Sequence, residues 1–187
     1  MSALPFFVGA SLLALPVLYT WVWWRPSHFL RCIGRDRDPC VAISTAVHGI
    51  KVVQGVLLAV YVDWTALPAL PLASWLLGLA LVLAGQCLNI RVYQLLGHDG
   101  VYYGSIFGKR IKWISGWPYS HLRNPQYVGC ILTVLGVAAI ILPAQMAAFW
   151  CAIYLYAAWL ESTPHPAAEL RALREEFGIS PPRPRQR

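Results

Sequence analysis

Three stretches of this sequence combine residue types and spacings that could do chemistry. Glu161 closes the apolar run "FWCAIYLYAAWLES" and is followed by Ser162, Pro164 and His165. A carboxylate at the end of a long apolar segment marks either the water boundary or a functional site, because charge is costly inside a membrane. The stretch "SHLRNPQYVGC" sets Arg123, Asn124 and Pro125 directly before another apolar run, with Tyr127 and Gly129 just inside it. A plain helix start needs only a cap and a proline. In the third stretch, residues 97–130, glycines stand at 97, 100, 104, 108 and 116 among Tyr102, Tyr103, Phe107, Trp113, Trp117 and Tyr119. Glycines allow backbone to come close to a ligand, and Lys109, Arg110, Lys112 and Arg123 have the chemistry to meet phosphate. An interfacial loop with aromatic anchors has the same composition.

The elements that must position these residues are apolar. Of 187 residues, 58% are hydrophobic and only 12% charged, with nine tryptophans and nine tyrosines. Soluble domains carry about twice that charged fraction, and Trp and Tyr favour the lipid–water boundary. The composition indicates a single integral-membrane domain over 1–187, all-α. Five segments can be drawn: 4–24, 41–62, 70–96, 126–142 and 145–161. The first three are long enough to span. The last two flank Pro143 as a tight hairpin that either crosses or dips in. The bundle thus has four to five membrane helices. The first segment lacks a basic leader and a small-residue cleavage site, so it reads as a retained helix.

A net charge of +7 suggests nucleic acid in a soluble protein, but here its placement argues against that. The basic residues gather at 25–37, 91–123 and 171–187, and none lies near Asp63 or Pro143. This alternation is the positive-inside pattern. It puts the N-terminus in the lumen or exterior and the 97–125 loop and C-terminus in the cytosol. Lys51 alone is inside the second segment. The run "PAAELRALREEFG" has Leu170, Leu173 and Phe177 on one face, which suggests an amphipathic helix lying on the cytosolic surface. The tail from about 179 to 187 reads as disordered. The five cysteines show no metal spacing, and no metal is expected. Gln86 and Asn89 in the third segment suit hydrogen bonds between helices.

The sequence "LLGHDGVYYGSIFGKRIKWISGWPYSHLRNPQYVG", followed by "YLYAAWLES", resembles the phospholipid N-methyltransferase family, nearest in pattern to its plant and fungal members. The likeness covers roughly residues 80–165, inside a core of 70–165. It implies an S-adenosylmethionine (SAM) donor and a membrane phospholipid acceptor. The reaction so implied is methylation of phosphatidyl-N-methylethanolamine and phosphatidyl-N,N-dimethylethanolamine to phosphatidylcholine, with phosphatidylethanolamine left open. It also implies the endoplasmic reticulum. Position by position, a family G-x-G falls on Leu83, Ala84 and Gly85, where only the second glycine is matched. The acidic pair of the last span falls on Glu161 and Ser162, and the entrance motif on Arg123, Asn124, Pro125, Tyr127 and Gly129. Cofactor binding is therefore expected at Leu83, Ala84, Gly85, Asn124, Pro125, Tyr127, Glu161 and Ser162. Lipid binding is expected at Arg123, Tyr102 and Lys109, and Glu161 is the catalytic candidate. The alternatives are a membrane methyltransferase acting on a prenylcysteine carboxylate, or a non-enzymatic membrane subunit. Oligomeric state is not set by the sequence.

Overall fold

The computed structural model describes residues 4–62, 64–112 and 114–180. The expectations placed on Asp63, on the ring of Trp113 and on the tail from 181 onward lie outside the described residues. Those residues form helices and turns, with no strand among them.

α1 runs over Leu4–Trp24, and a short α2, Pro26–Ile33, follows at once. None of the five segments drawn from the sequence covers this second stretch. Its eight residues bury Ser27, Phe29 and Leu30 on one face, with proline at the first helical position. α3 spans Pro39–Tyr61. Asp38 caps it by accepting from the N–H groups of Cys40 at 2.8 Å and Val41 at 3.4 Å, which satisfies donors that the first turn leaves open. A 3₁₀ turn at Trp64–Ala69 leads to α4, Leu72–Val101. Gly97 breaks α4 at φ 66°, ψ 179°, a left-handed conformation that glycine takes without a Cβ clash. α5, Pro125–Ala138, and α6, Ala144–Leu160, form the hairpin around Pro143, and α7 covers Ala167–Phe177.

α3 and α4 are long and apolar enough to cross a membrane. Their outer faces carry Val52, Val56 and Val60, and Leu72, Leu76 and Leu83, each at least 60% exposed. So large an apolar surface suits lipid rather than water. α5 and α6 are about 21 and 26 Å long at 1.5 Å per residue.

α4 and α5 make the most extensive helix pair. Gly78 and Gly85 face Gly136 and Gly129 across it. A Cβ on Gly85 would lie 2.5 Å from the Gly129 carbonyl oxygen, and one on Gly136 would lie 2.6 Å from that of Gly78. Backbones meet where side chains would otherwise stand. Gln86 donates to Thr133 Oγ1 at 2.9 Å, and Asn89 to Cys130 Sγ at 3.8 Å, so both polar residues of this span bond between helices.

The segments 25–38, 97–125 and 161–180 meet at one end of the bundle. Lys109 Nζ lies 2.6 Å from both Asp38 Oδ2 and Asp99 Oδ1. Burial alone disfavours the Lys109 ammonium, but its two carboxylate hydrogen bonds outweigh that and raise its pKa above the ordinary lysine value. The Lys109 hydrogen bond in turn holds Asp38 below the usual carboxylate value. Trp23 Nε1 donates to Thr163 Oγ1 at 3.1 Å. Ser27 Oγ and Ser27 N–H donate to Glu169, and Arg31 pairs with Glu176.

α7 is therefore docked on α2, with Leu173 fully buried and Leu170 and Phe177 against the same core. The amphipathic helix expected here forms, and its apolar face is covered by protein. The expected disorder from about 179 is corrected at its first residue. Ile179 packs on the core, its N–H bonded to the Leu173 carbonyl at 3.1 Å.

Gly85→Val and Gly129→Val should each destabilise the protein by about 2 kcal/mol or more, since the added atoms meet backbone. Thermal melts in detergent check this, and an unshifted melting temperature would show that α4 and α5 do not touch there. Asp38 has a depressed folded pKa, so the stability it contributes is present above its unfolded value, about 3.9, and is lost as pH falls through its lower folded value. Melting curves from pH 6 downward should show this acid loss in the wild type and a weaker one in Lys109→Met.

Candidate active site

The site forms where the start of α5, the end of α6 and the turn after α4 converge. Pro125 is buried at the first position of α5, and Asn124 occupies the cap at φ −130°, ψ 70° without a side-chain cap bond. The Val128 N–H bonds to the Asn124 carbonyl at 3.2 Å. The N–H groups of Gln126 and Tyr127 precede it, at a helix end where intrahelical acceptors are lacking.

Tyr127 points inward, only 8% exposed, and its hydroxyl donates to Glu161 Oε1. Glu161 caps the end of α6, its N–H on the Ala157 carbonyl at 3.0 Å. The Tyr103 hydroxyl stands 3.4 Å from that of Tyr127. Tyr103 has φ 60°, a left-handed conformation unusual for an aromatic residue. Its ring is held edge-on by Tyr19 and Trp23, at centroid distances of 6.2 and 5.9 Å. Strain of this kind persists where packing over-determines it, and it clusters at functional sites. A cavity of about 40 Å³ adjoins the cluster, lined among others by Tyr19, Lys51, Tyr102, Tyr103, Tyr127 and Tyr154.

Of the residues expected from the sequence, the structure brings Asn124, Pro125, Tyr127 and Glu161 to one place, with Tyr102 across the cavity. It does not bring the others there. Leu83 and Ala84 are exposed on α4. The side of Gly85 that a Cβ would occupy is filled by α5, so the close approach made there is between helices. This corrects the reading of Gly85 as a cofactor contact. Ser162 is exposed and its hydroxyl donates back to the Trp159 carbonyl at 2.6 Å. Arg123 is exposed. Lys109 lies between two carboxylates, so it is no open phosphate site. This corrects its assignment to the lipid, since Asp38 and Asp99 repel an anion there.

Tyr19, Tyr154 and Lys51 were not assigned to a site from the sequence. Only Lys51 carried a signal, as a charge inside an apolar segment. Together the cluster sets a carboxylate and several hydroxyls and aromatic faces at one side, and an ammonium at the other. It can pair a cation near Glu161, receive hydroxyl or N–H donors there, and hold a cation against tyrosine faces.

The description "Phospholipid methyltransferase" is that of the family model matching residues 73–166, which include Tyr103, Tyr127 and Glu161. The chain is 36% identical over 159 residues to the phosphatidyl-N-methylethanolamine N-methyltransferase of Arabidopsis thaliana, covering 83% of this chain and 90% of that protein. It is 29% identical to phosphatidylethanolamine N-methyltransferase B of Dictyostelium discoideum, over 76% of this chain and 74% of the relative. Against the phosphatidyl-N-methylethanolamine N-methyltransferase of Saccharomyces cerevisiae it is 28% identical, over 56% and 52%. No solved structure matches it. The site of tyrosines around Glu161 thus lies in a chain that belongs to the phospholipid methyltransferase family.

Proposed function

We propose that the protein transfers methyl groups from SAM to the amines of phosphatidyl-N-methylethanolamine and phosphatidyl-N,N-dimethylethanolamine, producing phosphatidylcholine. The observation that carries this is the 36% identity over nine-tenths of a relative bearing the first substrate's name. The Dictyostelium name favours testing phosphatidylethanolamine as a further acceptor. Expression in cells that lack phospholipid methylation, fed monomethyl or unmethylated lipid, decides both points. Absence of phosphatidylcholine from monomethyl-fed cells would reject the proposal.

The donor set at the cluster fits SAM: a carboxylate held by Tyr127 beside tyrosine hydroxyls and faces suits its cationic and hydroxyl-bearing parts. When bound, SAM supplies a methyl already activated on a sulfonium. Glu161 accepts hydrogen bonds from the cofactor, and the Tyr127 hydroxyl fixes its carboxylate. The free N–H groups at the start of α5 suit the cofactor's carboxylate. Tyr102 presents its face to the methylated, cationic headgroup. Arg123, exposed beside the start of α5, meets the anionic headgroup layer. These residues act mainly by holding the reactants in line, which can supply roughly 7 kcal/mol or more of a barrier.

In the membrane, α1, α3 and α4 cross and the α5–α6 hairpin completes a bundle of four to five membrane helices. The 97–125 loop and α7 face the cytosol and the N-terminus the lumen, in the endoplasmic reticulum. The meeting of the three basic segments at one end supports this arrangement, because they must share a side.

Glu161→Gln should weaken SAM binding by about 1.5–3 kcal/mol, tenfold to a hundredfold, while the protein still inserts and folds. Titration of SAM onto both proteins measures it, and equal affinity would remove Glu161 from the cofactor site. Single cysteines in a cysteine-free background should label from the cytosol in 97–125 and from the lumen at positions 63 and 143. Cytosolic labelling at 63 would reverse the topology.

A further inference from the structure

Lys51 has no part in the function proposed so far. It lies about 20 Å along α3 from the Asp38 cap at 1.5 Å per residue, within a helix long and apolar enough to cross a membrane. It is exposed, and among the described residues no carboxylate pairs with it. It nevertheless lines the same cavity as Tyr102, Tyr103 and Tyr127. Side chains on a helix lean toward its N-terminus. The stem of Lys51 therefore carries its ammonium toward the Asp38 end, where those tyrosines stand. An ammonium at membrane depth is costly unless something supplies an anion.

The surroundings of Lys51 indicate what that anion belongs to. α3 packs along α1, whereas α4 packs along α5. α3 meets the other helices where His98 Nε2 lies 3.0 Å from Ser44 Oγ, and again where Leu58 packs against the cluster of Val134, Leu142 and Ala147. Lys51 is midway between Ser44 and Leu58 along α3. The cavity there is walled by Val47 and Lys51 of α3 and by Gln126, Tyr127 and Cys130 of α5. The cation thus stands between two apolar helices, near the middle of α3, whereas Glu161 stands at the end of α6. A glycerophospholipid with its chains in the bilayer presents its groups in that order: the phosphate deeper, the amine nearer the water.

We infer that Lys51 binds the phosphate of the lipid substrate, which reaches the site laterally between α3 and α5 and sets its amine against the Tyr127–Glu161 cluster. The inference rests on the phospholipid reading above. Of the cations expected from the sequence to meet phosphate, Lys109 is held by two carboxylates, and Arg110, Lys112 and Arg123 are outside the cavity lining.

Purified wild type, Lys51→Met and Lys51→Arg are assayed in mixed micelles on two acceptors, phosphatidyl-N-methylethanolamine and a diacyl methylamine lipid that lacks the phosphate. Lys51→Met should raise KM for the phospholipid about tenfold or more, the loss of one charge-assisted contact, and Lys51→Arg should restore most of it. Both variants should bind SAM with wild-type affinity by titration, which also shows that they are folded. On the phosphate-free lipid, wild type and Lys51→Met should have equal KM. An unchanged phospholipid KM in Lys51→Met, or an equal rise on both lipids, overturns the assignment. A weakened SAM affinity with normal lipid KM also overturns it, and moves Lys51 to the carboxylate of the cofactor. Wild type that methylates neither lipid defeats the functional reading itself, whereas an active wild type with an indifferent Lys51→Met defeats only this inference.

Discussion

The direct backbone contact between α4 and α5 is the constraint from which the site's geometry follows. Gly129 stands two residues beyond Tyr127, and its missing side chain lets α5 lie against the Gly85 carbonyl and Asn89. That contact fixes the rotation and height of α5 and so aims the Tyr127 hydroxyl. The short turn at Pro143 then returns α6 beside α5, and the α6 end delivers Glu161 to the tyrosine. Burial of Tyr127 in protein leaves its hydroxyl few competing partners, so the pair forms once the helices are in place. A Cβ between α4 and α5 would separate the helices and with them the two sides of the site.

A second constraint acts at the other level, among charges. The arginines after α1 look in the sequence like free cations that only set orientation. In the folded chain Arg31 meets Glu176, Arg25 lies 3.8 Å from Glu169, and Lys109 bridges Asp38 and Asp99. Each exposed pair contributes little stability alone. Their effect is positional, since they tie three segments distant in sequence into one cap over the bundle end. The turn bearing Tyr102 and Tyr103 is held between that cap and the helices.

The helices other than α2 and the hairpin were legible in the sequence, because apolar length and proline position bear on them, whereas the hydrogen bond between Tyr127 and Glu161 was not, since the family motif names both residues without pairing them. The direction faced by Gly85 was not. A glycine in a span serves a ligand or a neighbouring helix equally well, and only the register of α5 decides. Lys109 was misjudged for a related reason: its partners, Asp38 and Asp99, include one 71 residues away, and no local pattern announces such a pair. α2 escaped notice because eight residues hold too few turns to show a period. The left-handed Tyr103 was illegible for a simpler reason. Aromatic residues rarely adopt that conformation, so no propensity points to it.

The distribution of packing also explains where a lipid enzyme of this size must place its reactive groups. α4, α5 and α6 form one tightly joined half, while α1 joins it through Trp23, Thr20 and Tyr156. α3 is held to α1 along its length but touches the other half at separated points. A diacyl substrate cannot leave the bilayer without exposing its chains to water, so its headgroup must reach the site through a side wall of the bundle. The seam beside α3 is the wall lined by both the cavity and the Lys51 cation. The α4–α6 half holds Tyr127 and Glu161 together, and the inferred lipid path runs along the wall beside it. Precise placement and lateral access, which conflict within one uniformly packed bundle, are thus assigned to different helices.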